Sequence, residues 1–152
     1  MAVFAALLDA LVAQLPAVVG SAVTVTDGPV LTKTFGDVLA VGAFDPTSSA
    51  PSTSVSGTTI WSDSHGRRMS EEGDISMVAY SWAGAADVKS LRDRVVTVHG
   101  QVLAWIRAQQ NPFLGVAGVW DLRPATFSLD QQQDGSGAWA VLAFQLHYQA
   151  KL

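Results

Sequence analysis

The chain has 152 residues and a net charge of −4; apolar residues make up 49% of it and charged residues only 14%. This length suffices for one domain with a buried core, and the acidic balance excludes a module that holds nucleic acid through phosphate contacts. The absence of cysteine excludes a disulfide framework and thiolate metal sites. Because soluble domains usually carry about a quarter charged residues, so little charge indicates a surface partly covered by other subunits.

The first predicted element is a helix over residues 4–15, where apolar residues recur every three or four positions. Pro16 is expected to end this helix, because proline lacks the amide hydrogen that continues it. No Lys or Arg precedes the stretch, and Asp9 and Gln14 interrupt it, so we expect no secretory signal. No run approaches the roughly 18 apolar residues of a transmembrane helix, so we expect no membrane partner and synthesis in the cytoplasm.

The middle of the chain alternates between strand patterns and polar segments. Residues 45–57 are rich in Ser, Thr and Pro and are interpreted as a flexible surface loop within a single domain of residues 1–152. Residues 62–72 form a second polar segment. Alternating or β-branched apolar residues predict strands at 22–26, 37–44, 58–61 and 74–82.

The last third combines a long helix with a long β-hairpin. Asp87 is expected to cap a helix that ends near Gln110, and the Asp134-Gly135 pair suits the tip of a hairpin. These elements predict an α+β fold, with a mainly antiparallel or mixed sheet, two helices packed on one face and a C-terminal β-hairpin. The apolar stripe of the long helix contains Leu91, Val95, Val98, Val102 and Ile106.

Alternation sorts the final strand, over residues 138–150, into two faces. The apolar face carries Leu142, Phe144, Leu146 and Tyr148. The polar face carries Gln145, His147 and Gln149.

The residues with catalytic potential form no recognisable site. Asp63, Ser64 and His65 are neighbours in sequence, which seldom gives the geometry of a triad, and a polar loop is the preferred interpretation. Glu71 and Glu72 are interpreted as a solvated charge cluster. The three histidines lie far apart without carboxylates at metal-ligand spacing, so we expect no metal, no cofactor and no enzyme activity. Core packing is expected to explain most of the five tryptophans.

Four segments carry a resemblance that extends over essentially the whole chain. They are the helix VFAALLDALVAQLP, the polar approach SHGRRMSEEG to the strand DISMVAYSW, the helix LRDRVVTVHGQVLAWIRA and the closing AFQLHYQAKL. In this order they resemble the tail terminator proteins of long-tailed bacteriophages. The long Ser/Thr/Pro loop departs from the family pattern.

The resemblance implies a homohexameric ring at the head-proximal end of the tail, assembled in the host cytoplasm. Its partners would be further copies of the chain, the tail-tube protein below and a neck or head-completion protein above. DNA would pass through the central hole without specific binding. A negative net charge agrees with that, since cationic walls would retain phosphate.

Two surfaces are hypothesised for these contacts. Arg67, Arg68, Glu71 and Glu72 offer both charge signs and suit self-complementary pairing around a ring. Gln145, His147 and Gln149 would form a ring-to-ring or lumen face. Two other functions stay open: another ring protein of the same particle, such as a neck adaptor, stopper or tail-tube subunit, and a monomeric small-ligand or enzyme domain.

Overall fold

The computed structural model describes residues 2–29, 36–43, 53–61, 68–84, 87–135 and 137–152. Two helices lie on one face of a six-stranded sheet, which confirms the predicted α+β class. Among the residues described, no helix has the length and apolarity needed to cross a bilayer. The elements in chain order are α1 (Val3–Val19), β1 (Val23–Asp27), β2 (Gly36–Val41), β3 (Val55–Trp61), β4 (Met69–Ala83), α2 (Val88–Arg107), β5 (Val119–Asp134) and β6 (Gly137–Lys151).

The sheet is built around β4. The strand order is β1-β2-β4-β6-β5, and β3 pairs with β4 outside this order. β4 pairs with β6 from Ser70 to Ala83, and on its other edge it pairs first with β3 and then with β2. All pairs are antiparallel except β1 with β2, so the sheet is mixed. The hairpin of β5 and β6 therefore forms one end of the sheet, with β5 as an edge strand.

Helix α1 continues past Pro16, so the predicted end of this helix is wrong. Pro16 lies in the last turns, where losing one backbone hydrogen bond costs little compared with burying Val19, which is 7% exposed. The helix ends instead at Gly20, whose φ of 86° favours glycine and whose N–H donates to the Pro16 carbonyl.

Helix α2 follows the sequence prediction closely. Asp87 precedes the first turn and its carboxylate accepts a hydrogen bond of 2.7 Å from the Ser90 N–H. The helix ends at Arg107, three residues before the predicted end. Every residue of the predicted stripe is buried against the sheet: Leu91, Val95, Val98, Val102 and Ile106.

Two strands begin earlier than predicted. Residues 45–52 of the predicted loop lie outside the described part of the chain, but Val55–Gly57 belong to β3. Likewise, Met69–Gly73 belong to β4 rather than to a polar loop. The side chains of both segments give no apolar pattern. Residues 55–57 become strand because they pair with β4, and residues 70–73 because β3 and β6 offer backbone partners on both edges.

The two faces of the sheet differ. The helix-covered face joins side chains of β2, β4 and β6 to both helices in one large core. The opposite face holds a smaller buried cluster that includes Val38, Val78, Tyr80 and Val141. Beyond that cluster, toward the start of β4, the same face becomes polar.

We expect Leu91→Ala and Ile106→Ala each to lower the free energy of unfolding by about 2–5 kcal/mol, because each leaves a cavity in the main core. Urea denaturation measures the change. Val96→Ala, on the same helix at a position 48% exposed, is the matched control and should change stability by no more than about 0.5 kcal/mol. Equal effects at buried and exposed positions would contradict the packing described.

Candidate functional site

The polar face of the sheet carries the three residues predicted for a ring-to-ring or lumen surface. Gln145, His147 and Gln149 lie side by side on β6, on the face away from the helices, and each is half-buried. Each is held by a side chain of a neighbouring strand: Gln149 donates to Glu72 (3.1 Å), His147 Nδ1 lies 3.0 Å from Asp74 Oδ1, and Thr126 donates to Gln145 (3.0 Å).

With these hydrogen bonds, the three side chains of the polar face are paired with side chains of neighbouring strands. The contact between His147 Nδ1 and Asp74 fixes the orientation of the imidazole ring. Arg123, the register partner of His147 on β5, lies 3.5 Å from the Asp121 carboxylate. The face therefore presents hydrogen-bonded polar side chains and three carboxylates, Glu72, Asp74 and Asp121, of which Asp121 lies beside the Arg123 guanidinium.

The residues predicted for the subunit contact do not form one cluster. Arg67 lies outside the described residues, and Arg68 is exposed just before β4. Glu71 and Glu72 are successive strand residues and point to opposite faces of the sheet. Glu72 joins the polar face, whereas Glu71 is buried on the helix side, so the interpretation of both as a solvated cluster is wrong.

Glu71 connects the sheet to the start of α1. Its Oε1 atom accepts hydrogen bonds from the Phe4 N–H (3.1 Å) and the Tyr148 hydroxyl (2.7 Å). α1 has no side-chain cap of its own and no acidic residue in its first turn. A carboxylate from a distant strand thus satisfies a free amide and places negative charge at the positive end of the helix dipole.

Tyr148 reaches Glu71 because Gly73 leaves room for its ring, while Gly57 allows β3 and β4 to approach each other closely. Gly73 is the register partner of Tyr148, and a Cβ on Gly73 would stand 3.1 Å from the Tyr148 ring. A Cβ on Gly57, the partner of Gly73 on β3, would come within 2.3 Å of a backbone oxygen. The pKa of Tyr148 is raised, mainly by burial and to a smaller extent by the hydrogen bond to Glu71, so its hydroxyl stays a donor.

A pocket of about 260 Å³ opens beside this contact, between the start of α1 and β3. Glu71 and Tyr148 form its buried polar floor, while Phe4 and the exposed Thr59 form part of its wall. The sequence pattern does not indicate that Glu71 and Tyr148 line a pocket. The only local signal is a tyrosine on the apolar face of a strand, because a buried tyrosine hydroxyl requires a partner.

A second, wider groove of about 420 Å³ lies between the end of α1, the edge strand β1 and α2. Its polar side centres on Asp37, which accepts a hydrogen bond from the fully buried Ser81 hydroxyl and lies 3.9 Å from the Arg94 guanidinium. The groove is open, and each of its two carboxylates lies beside a cation: Asp37 beside Arg94, and Asp93 beside Lys89.

The outer part of the hairpin presents an apolar side chain beside α2. Phe127 is 70% exposed and its ring centre lies 5.9 Å from that of His99. His99 also meets the Phe144 ring edge-on at 4.8 Å. Burial in this setting lowers the pKa of His99 below its ordinary value of 6.5.

The described residues test the prediction about the tryptophans but not the interpretation of residues 63–65. Three of the five tryptophans are half-buried, and of these Trp105 packs against the main core and Trp139 against the smaller cluster. Trp61 and Trp120 are 60% and 45% exposed. Asp63, Ser64 and His65 lie outside the described residues. Within the described segments, no three His, Asp or Glu side chains converge as metal ligands.

Comparison with known proteins finds no matching family model and no matching curated protein. Among solved structures, a chain from the virion of a native gene transfer agent particle is similar to this chain. It is 16% identical, the match covers 91% of this chain and 86% of that one, and the TM-score is 0.47. A likeness this distant assigns no function.

We expect Glu71→Ala to lower the free energy of unfolding by about 1–3 kcal/mol, because the Phe4 amide and the Tyr148 hydroxyl both lose their acceptor. Glu72→Ala, at the next residue on the opposite face, should change it by about 0.5 kcal/mol or less. Chemical denaturation of both variants measures the difference. Equal losses would show that the buried position of Glu71 has no special role.

His99 should make stability depend on pH. The unfolded chain, with the ordinary pKa of 6.5, binds a proton at pH values where the folded chain does not, so stability falls as the pH drops below that value. Melting temperatures of the parent and of His99→Gln, compared between about pH 7.5 and about pH 5.5, isolate this contribution. The parent should lose more stability than the variant on acidification, and parallel profiles would contradict the assignment.

Proposed function

We propose that this chain is a structural protein of a phage-like virion and, more specifically, a tail terminator. In this function it forms a ring, with the six-fold symmetry of the family, that caps the finished tail tube and ends its growth. The ring then offers the head and its neck proteins a surface for attachment. The proposal needs no catalytic group, cofactor or metal.

The observation that carries the proposal is the amount of apolar surface left exposed on a chain with so little charge. Seven large apolar side chains are at least 39% exposed in the described part of the chain. They are Phe4, Ile60, Trp61, Val96, Trp120, Phe127 and Leu152. Exposed tryptophan and phenylalanine are typical anchors of protein contacts, so these positions favour a subunit of an assembly.

The edge strand β5 supports the same conclusion. From Ala125 to Asp134 its residues are exposed on both faces, except for the half-buried Leu129. An outer edge with free backbone groups is normally protected by charged residues, a proline, a bulge or a covering element. Residues 125–134 contain neither lysine nor proline, and their protection is limited to Asp130, Asp134 and the register shift between Pro124 and Phe127. Contact with another subunit would provide that protection.

The tail-specific part of the proposal rests on the element order and the polar face. The order of helix, central strand, helix and closing hairpin is the one by which the sequence resembles tail terminators. On the polar face, carboxylates are paired with neutral or cationic partners, as for Asp74 with His147. In an acidic chain such a face would let DNA pass without retaining its phosphates.

A terminator differs from a tube subunit in how it assembles. A head-to-tail contact between rings repeats until something non-repeating covers the growing end. A terminator must bind that end on one side and present different chemistry on the other. Purified terminator should therefore form single rings in electron micrographs, whereas a tube subunit should form filaments.

Removal of the gene from its parent phage tests the function. We expect tails of uncontrolled length without heads, beside filled heads without tails, because tube polymerisation continues while capping and joining fail. A plasmid copy of the gene is the control and should restore normal virions. Normal virions without the gene, or the absence of any tail tube, would overturn the proposal.

A further inference from the structure

The pocket between α1 and β3 combines a buried carboxylate with free space. Glu71 is 8% exposed, and the bonds from Phe4 and Tyr148 both go to Oε1. A buried carboxylate is best stabilised by a cationic group with hydrogen-bond donors.

The wall of the pocket suits the stem of a cationic side chain. Phe4 lines it and is 39% exposed, and Val55 adds aliphatic surface. Thr59 stands directly opposite Glu71 across the β3–β4 pair. Trp61, two residues further along β3 on the same face as Thr59, is 60% exposed. Aromatic rings beside a carboxylate favour an organic cation through both charge and cation–π attraction.

We propose that this pocket binds the side chain of an arginine or lysine presented by another protein. The charged head group would bond to Glu71, and the methylene stem would pack along Phe4 toward Trp61. The same features disfavour a free anion, which the Glu71 carboxylate would repel, and an apolar group, which would make no hydrogen bond to that carboxylate. The proposal concerns the pocket itself and does not depend on the role in a phage tail.

Capped amino acids test the recognition directly. The probes are N-acetyl-arginine methylamide and N-acetyl-lysine methylamide, with the citrulline analogue as an uncharged control of nearly the same shape as arginine. Chemical shifts of the ¹⁵N-labelled protein are followed during titration, with the Phe4 amide as the central reporter. We expect saturable binding of at least one cation, with a Kd on the order of 1 mM for so small a ligand.

Variants of the chain separate the pocket from general charge attraction. Glu71→Gln should weaken binding roughly 10- to 100-fold, because the charge-assisted bond is lost. Glu72→Gln removes the same charge from the opposite face and should leave the Kd unchanged. Thr59→Phe keeps Glu71 in place and should abolish binding by filling the pocket.

The outcomes are distinct. Binding that requires the positive charge and is lost in both Glu71→Gln and Thr59→Phe supports the site. Any of three results would overturn the proposal. These are equal binding of the citrulline analogue, equal effects of Glu71→Gln and Glu72→Gln, and the absence of a saturable shift with either cation. If Glu71→Gln does not fold, Thr59→Phe decides, because its substitution lies on an exposed strand position that favours aromatic residues.

Discussion

The antiparallel pairing of β4 with β6 is the constraint on which the rest of the structure depends. It extends over fourteen register pairs and forms the centre of the sheet. Because successive strand residues point to opposite sides, this single register sends Ile75 and Leu146 to the helices and Asp74 and His147 to the opposite face. A slip by one residue would exchange the two faces and place carboxylates in the core.

The same register builds both candidate surfaces. Gly73 opposite Tyr148 gives the tyrosine ring its space, and the hydroxyl then reaches Glu71 two residues away on β4. On the other face, the pairing brings His147 beside Asp74. The pocket under α1 and the polar surface away from the helices are thus consequences of one hydrogen-bonded pair of strands.

The electrostatics of the two faces differ because their solvent exposure differs. On the polar face the charges are partly hydrated, so pairs such as Asp121 with Arg123 contribute little to stability and mainly shape the surface. Glu71 is buried, so leaving it without donors would be costly, and the fold supplies the start of α1 and the Tyr148 hydroxyl. A charged group that stabilises a helix terminus can at the same time recognise a cation in the adjoining space.

By itself, the sequence determined the elements whose pattern is local. The three-four spacing of α2, its Asp87 cap and the two faces of β6 are recorded in neighbouring residues, because helix and strand periodicity depend only on the backbone. That is why the α+β class, the buried stripe of α2 and the polar position of Gln145, His147 and Gln149 could be predicted.

Only the tertiary structure decided the features that depend on partners distant in the chain. Burial of Val19 carries α1 past Pro16, and pairing with β6 turns the polar residues before Asp74 into strand. The contact between Glu71 and Tyr148 joins residues 77 positions apart, and neither residue indicates the other in the sequence. Such contacts follow from strand register, which packing of the whole sheet fixes and local periodicity cannot.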